Sequence, residues 1–72
     1  MSEYEKALKT ENEILGYRFL YDTVGDNPRK VSRKAASICR VPNRKIKVVL
    51  GDCIDGEHEV SRYLVFENVM GL

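Results

Sequence analysis

Asn27-Pro-Arg-Lys-Val-Ser-Arg-Lys-Ala-Ala-Ser-Ile-Cys-Arg40 is the stretch on which the fold turns. Asn27 is a strong helix N-cap. Pro28 suits the first helical position, where its missing N–H costs nothing and its fixed φ is already helical. Wound at 100° per residue, Val31, Ala35, Ile38 and Cys39 cover one arc, and Arg29, Lys30, Arg33, Lys34, Ser37 and Arg40 fill the opposite one. Pro42 stops the run. The spacing predicts a helix over 28–40 that lays an apolar stripe on a sheet and turns a basic face outward.

On either side of this helix the period changes from 3.6 to 2. Residues 17–24 alternate aromatic with polar, placing Tyr17, Phe19 and Tyr21 on one face of a half-buried strand ended by Gly25 and Asp26. Residues 46–50, Ile-Lys-Val-Val-Leu, and residues 58–67 read as two further strands. Asp55-Gly56 between them is a strong hairpin-turn signal. If that dipeptide is the two-residue turn, Val48 faces Tyr63 and Ile46 faces Val65; a longer loop from Gly51 to Gly56 is the alternative. Met70 to Leu72 reads as a short tail.

Before the first strand, Ser2 and Glu5 have capping-box spacing. Tyr4, Ala7, Leu8, Ile14 and Leu15 recur at helical intervals, and Glu5 and Lys9 stand as an i,i+4 pair. Gly16 sits where a left-handed C-cap belongs. These features predict a helix over 3–15. The order α-β-α-β-β then predicts a small single α+β domain over residues 1–72. Its three-stranded sheet is expected to be mixed, with helices packed on one face and strands 17–24 and 46–50 running parallel through a right-handed crossover.

The chain has 72 residues, 43% hydrophobic and 32% charged, which fits one globular domain near the lower size limit for an unaided fold. A homodimer is one way for so small a chain to bury more surface. Two cysteines, Cys39 and Cys53, do not make a disulfide framework. Met1 to Leu15 is polar and acidic without an apolar signal core, and no apolar run approaches the roughly 20 residues of a membrane span. The expectation is a reduced cytoplasmic protein without a membrane partner.

Charge is the feature that bears on function. Eight of the twelve basic residues, Arg29, Lys30, Arg33, Lys34, Arg40, Arg44, Lys45 and Lys47, fall between Pro28 and Lys47, and every carboxylate lies outside that interval. The net charge of +1 therefore resolves into blocks of −3, +8 and −4 along the chain. A solvated helix face ordinarily mixes signs. Here Arg29 and Lys30 sit in the first turn, where the macrodipole disfavours cations by roughly 0.3–1 kcal/mol each. The like-charged pairs Arg29–Arg33 and Lys30–Lys34 add a similar small cost. Such costs point to binding of something anionic.

Two partner classes follow. An acidic protein surface is the first, with the acidic flanks setting register. DNA or RNA, held through phosphates by the same residues, is the second. The eleven carboxylates, the pI near 7.8 and the absence of aromatics from the basic segment weigh against nucleic acid. A strand, not a helix, precedes residues 28–40, so a helix-turn-helix is not formed.

No motif identifies a reaction. Asp52, Asp55, Glu57, His58 and Glu59 cluster near the hairpin turn, but Ile54 occupies a position that a calcium loop needs for a ligand. Cys39, Cys53 and His58 lack the paired spacing of a zinc site, and Cys53 with His58 lacks a pocket for nucleophilic chemistry. Arg29 to Ser32 has the R-x-x-S form of a basophilic phosphorylation site. In size and layout the chain resembles the small accessory proteins that phages and mobile elements encode to block or redirect host machinery. The expected function is thus a non-enzymatic binding protein, a regulator or inhibitor needing no cofactor. It would dock through Arg29, Lys30, Arg33, Lys34 and Arg40, with Arg44, Lys45 and Lys47 as secondary contacts.

Overall fold

A computed structural model of the protein describes residues 1–55 and 60–70, with the backbone alone at 53–55. Helix α1 spans Glu3–Ile14, strand β1 Tyr17–Gly25, helix α2 Pro28–Cys39, strand β2 Ile46–Asp55 and strand β3 Val60–Asn68; a single 3-10 turn, Asn43–Lys45, joins α2 to β2. The chain forms a small compact α+β domain.

The sheet order is β1-β3-β2, and β3 is antiparallel to both neighbours. The sheet is therefore wholly antiparallel, not mixed. β1 and β2 do run in the same direction, but β3 lies between them and the crossover through α2 skips one strand. The reason is visible in β3 itself: Tyr63, Leu64, Val65 and Phe66 are all buried. Four consecutive buried residues need cover on both faces of the strand and on both edges, which only the central position supplies.

Cover on both faces also separates the helices. Tyr63 and Val65 pack with Val31 and Ala35 of α2, joined by Leu20, Tyr21, Ile46 and Val48. On the other face, Arg62 bonds to Glu5 of α1, and Phe66 meets Phe19 edge to face at 5.5 Å with Lys9 of α1 over the Phe19 ring. The helices thus lie on opposite faces of the sheet, where the sequence pattern predicts one covered face.

Two strand registers differ from their sequence-based expectations. In β1, Tyr17–Phe19 pairs with Asn68–Phe66, but the register shifts before Tyr21, which pairs with Val65. The shift is a β-bulge centred on Leu20, and it inverts the alternation. Tyr17 and Phe19 consequently face α1 while Tyr21 faces α2, so the three aromatics do not share one face. In the hairpin, Val48 lies opposite Val65 and Ile46 opposite Glu67. This is two residues from the pairing expected of a tight Asp55-Gly56 turn. A slip of two keeps every side chain on its face, whereas a slip of one would reverse them all. Asp55 pairs with Val60, and irregularities between Leu50 and Asp55 absorb the difference. Gly56 and His58 lie outside the described residues.

α1 is mounted with its apolar side outward. Tyr4 is 56% and Ile14 80% exposed, and Leu15 is also exposed, while the buried residues of this helix are Glu5 and Asn12. The expected stripe faces solvent because the sheet face beneath α1 offers a charge to satisfy. Glu5, only 1% exposed, receives Arg62 Nε at 3.0 and 3.1 Å and the Asp52 backbone N–H at 2.9 Å. Arg62 Nη2 also donates to Asp22. Gly51 makes the approach possible, since a Cβ there would stand 2.6 Å from Glu5 Oε2. Ser2 caps the helix by accepting the Glu5 N–H at 3.1 Å. The reciprocal half of the capping box is not made, because the Glu5 carboxylate is spent on the sheet. Lys9 accordingly pairs with Glu13, at 3.5 Å, and not with Glu5. The hydrogen bond that Arg62 donates to Glu5, ahead of the contribution of Asp22, pushes the Arg62 pKa further upward, so this cation persists at any accessible pH.

Gly16 adopts φ +98°, as expected of the residue that ends α1, and Met70 fills the space a Cβ would need. α2 ends differently. Arg40 itself takes the left-handed conformation, φ 55° and ψ 43°, and the Val41 N–H bonds the Ala36 carbonyl across it. A non-glycine residue pays roughly 1–2 kcal/mol there, against about 0.4–1 kcal/mol for the extra unfolded-state freedom of glycine. Arg40→Gly should therefore stabilise the domain by about 0.5–1 kcal/mol, a rise of a few degrees in Tm. An unchanged or lower Tm by calorimetry would contradict this account of the cap.

Tyr21 supplies a pH dependence. Burial of its phenol, with the charge of Cys39 a smaller contributor, raises its pKa above the ordinary 10.0. The unfolded chain then ionises first. The stabilisation is complete below about pH 10 and is lost as pH rises through the folded-state value. Alkaline denaturation curves should show this loss in the parent protein and a flatter profile in Tyr21→Phe; identical profiles would dismiss it.

Candidate partner-docking surface

The basic surface is built on α2. Asn27 Oδ1 accepts the Arg29 N–H at 2.8 Å and Pro28 occupies the first turn, so the helix begins where the sequence predicts. Val31 and Ala35 anchor it to Tyr63 and Val65. The helix presents cations before and between those anchors: Arg29 and Lys30, then Arg33 and Lys34, are all exposed. The first turn holds no acidic residue and the last turn no basic one, the reverse of what the macrodipole favours.

Among the described residues the ion pairs are Lys6–Glu3, Lys9–Glu13, Arg18–Glu67, Arg62–Glu5 and Arg62–Asp22. None involves a cation of α2. The carboxylates Glu3, Glu11 and Glu13 belong to the helix on the far side of the sheet. Layers pack about 10 Å apart, so these groups stand roughly two Debye lengths from the α2 face at physiological ionic strength, where that length is about 8 Å. The near-neutral total charge therefore says little about the α2 face, where four exposed cations outnumber the adjoining carboxylate of Asp26.

The cations divide between two flanks. Arg29 and Arg33 line a polar cleft of about 380 Å³ with Ser32 and Asn43, in which Ser32 Oγ donates to Asn43 Oδ1 at 3.4 Å. Lys30 and Lys34 line a groove of about 280 Å³ on the opposite side, against β1, with Tyr21, Thr23, Val31 and Ile38. Ser32, the residue of the R-x-x-S motif, is thus half-buried between two arginines at the cleft.

Three sequence-based assignments change. Ile38 is 60% exposed at the rim of the lysine groove and is not on the buried stripe. Val31 and Ala35 take the contact with the sheet, and Cys39 of the last turn is half-buried. Arg40 caps α2 in a left-handed conformation, so its side chain leaves the helical array formed by the other four cations. Lys47 pairs with Phe66 across the sheet and caps the Tyr17 ring at 4.5 Å, on the α1 side. It therefore sits on the face opposite the basic helix. Arg44 and Lys45 occupy the 3-10 turn that follows α2.

Cys39 carries a free thiol on the half-buried side of α2. Among the described residues no group of three or more metal-ligating side chains is assembled. Among the described residues no helix is long and apolar enough to cross a membrane. In comparisons with protein-family models, curated proteins and solved structures, the chain matches none at a significant level.

Proposed function

We propose that this protein is a non-catalytic docking module that binds an acidic protein surface through α2, acting as a regulator or inhibitor of that partner. The observation that carries the reading is the set Arg29, Lys30, Arg33 and Lys34: four exposed cations on consecutive turns, outside every ion pair among the described residues. Arg44 and Lys45, beside the end of the helix, extend the surface, and Arg40 adds to its margin.

Protein is favoured over nucleic acid by where the aromatics lie. Tyr63 and Phe66 are buried, Phe19 packs on Phe66, and Tyr17 is capped by Lys47. Among the described residues the ring beside the α2 cations is Tyr21, which is half-buried in the lysine groove and packed on the Val31 cluster, so it presents no open face to stack a base. Stacking contributes about 1–3 kcal/mol per base in single-strand binders. Phosphate contacts alone weaken steeply with salt. The test is a gel shift with a labelled duplex, its single strand and an RNA of the same length, from low to physiological salt. The expected result is a shift only at low salt; one that survives physiological salt would replace this reading with nucleic-acid binding.

A further inference from the structure

β1 lies at an edge of the sheet, with β3 on one side only. Beyond its bulge, Tyr21–Gly25 is regular and pairs without interruption with Val65–Ser61. An edge of this kind presents backbone N–H and C=O groups to any extended chain that reaches it. Proteins usually guard such edges with lysine, proline or irregular pairing. β2, the other edge strand, has Lys47 within it and two register irregularities between Leu50 and Asp55. Tyr21–Gly25 has neither a lysine nor a proline.

The lysine groove runs alongside this edge. Its lining combines the β1 residues Tyr21 and Thr23 with Lys30, Lys34 and Ile38 of α2. Ile38 is 60% exposed at its rim, so the groove offers apolar contact as well as charge. Lys30 and Lys34 are one turn apart, a rise of about 6 Å along a helix. Alternate side chains of a strand are spaced about 6.6 Å. A strand added to β1 would therefore place carboxylates at positions i and i+2 opposite the two lysines.

Resting on the docking role proposed above, we propose that the occupant is an extended acidic segment of the partner protein, which adds a fourth strand at β1. Its backbone pairs with Tyr21–Gly25, and alternate carboxylates meet Lys30 and Lys34. Charge decides against a second copy of this chain as occupant. Pairing β1 with its own twin would bring two sets of Lys30 and Lys34 towards one edge, and like charges brought together cost several kcal/mol. Asp26, at the end of the groove beside Asn27, sets a limit on how far the carboxylates can extend.

The probe is an end-blocked nonapeptide alternating glutamate with valine and threonine. Controls are the same composition with its glutamates clustered, and the alternating peptide N-methylated at every second amide. Amide hydrogen exchange of the intact protein reads strand addition directly. The expected result is saturable binding of the alternating peptide, protection of amides in 21–25, and at least tenfold weaker binding of both controls. Lys30→Glu with Lys34→Glu should abolish binding, whereas Arg29→Glu with Arg33→Glu, on the other flank of the same docking surface, should weaken it at least tenfold less.

Equal binding of the N-methylated peptide, or binding without protection in β1, would overturn strand addition while leaving α2 as the docking surface. Loss of binding in both pairs of variants alike would return the site to a diffuse basic face. Binding to neither peptide, together with a persistent nucleic-acid shift at physiological salt, would remove the docking role itself. Self-association accompanied by protection of β1 would make the occupant a second copy.

Discussion

Reversing two charges on α2, Arg33→Glu with Lys34→Glu, should abolish docking while leaving the domain as stable as before or slightly more so. Both side chains are exposed and outside every ion pair among the described residues. Glutamate is a good helix former. Each new carboxylate would face a cation one turn back, Arg29 or Lys30. A repulsive i,i+4 pair thereby becomes an attractive one, a gain of a few tenths of a kcal/mol per pair. At the interface the sign is opposite, because two attractive contacts become repulsive, and misplaced like charges there cost several kcal/mol. About 3 kcal/mol corresponds to a loss of at least roughly 100-fold in affinity. The combination of an unchanged or raised Tm with lost binding is what distinguishes a docking face from a solvated one. A variant that binds as the parent does would identify the basic face as solvent-facing decoration.

The largest effect on stability is expected at Glu5. Glu5→Ala leaves Arg62 and the Asp52 N–H without their buried acceptor, and breaking a buried pair from one side costs about 3–5 kcal/mol. A domain of this length has a total stability on the order of 4–11 kcal/mol. Urea denaturation at neutral pH should therefore find at least about a quarter of the parent's stability lost, with the variant unfolded without denaturant where the parent lies at the low end of that range. Glu3→Ala, on the exposed side of the same helix, should stay within about 0.5 kcal/mol of the parent. A loss below 1 kcal/mol for Glu5→Ala would mean that the carboxylate does not hold α1 to the sheet.

Glu5 also marks where the sequence pattern stops being informative. Its spacing from Ser2 is that of a capping box, and only the tertiary structure reveals Arg62 as a competing partner. Arg62 stands 57 residues away, beyond the range of any local rule. The same competition inverts α1. A helix whose Tyr4, Ala7, Leu8, Ile14 and Leu15 repeat at helical spacing reads as packing through those residues. Of these only Leu8 is half-buried, and the buried residues are Glu5 and Asn12, because one buried ion pair outweighs a thin apolar stripe.

In β1 the alternation is real on each side of Leu20, but one extra residue reverses its phase, and no turn residue announces the bulge. In the hairpin, the faces of Val48 and Ile46 were legible while their partners were not. An offset of two residues preserves the pattern on which the reading rests. The central place of β3 could have been suspected from the unbroken run Tyr63 to Phe66, since a strand covered on one face alternates.

The basic helix was the most legible element. Its start is fixed by short-range chemistry, Asn27 and Pro28, and its orientation by Val31 and Ala35, which sit close in sequence. What the helical wheel missed were its ends. Arg40 leaves the helix through a left-handed cap, and Ile38 is exposed at the rim of the lysine groove. Lys47 belongs to the next strand, where alternation sends it to the opposite face. Proximity in sequence therefore overstated the basic patch, of which the structure gathers Arg29, Lys30, Arg33 and Lys34 on one exposed helix face.

The most direct measurement is quantitative affinity capture from cells of the source organism, using the parent protein and the Arg33→Glu, Lys34→Glu variant, with and without nuclease. The predicted result is an acidic-surfaced protein retained by the parent, unaffected by nuclease, and lost from the variant, then reproduced with the purified pair. Equal recovery by both proteins, or recovery that disappears with nuclease, would contradict docking of α2 on a protein surface.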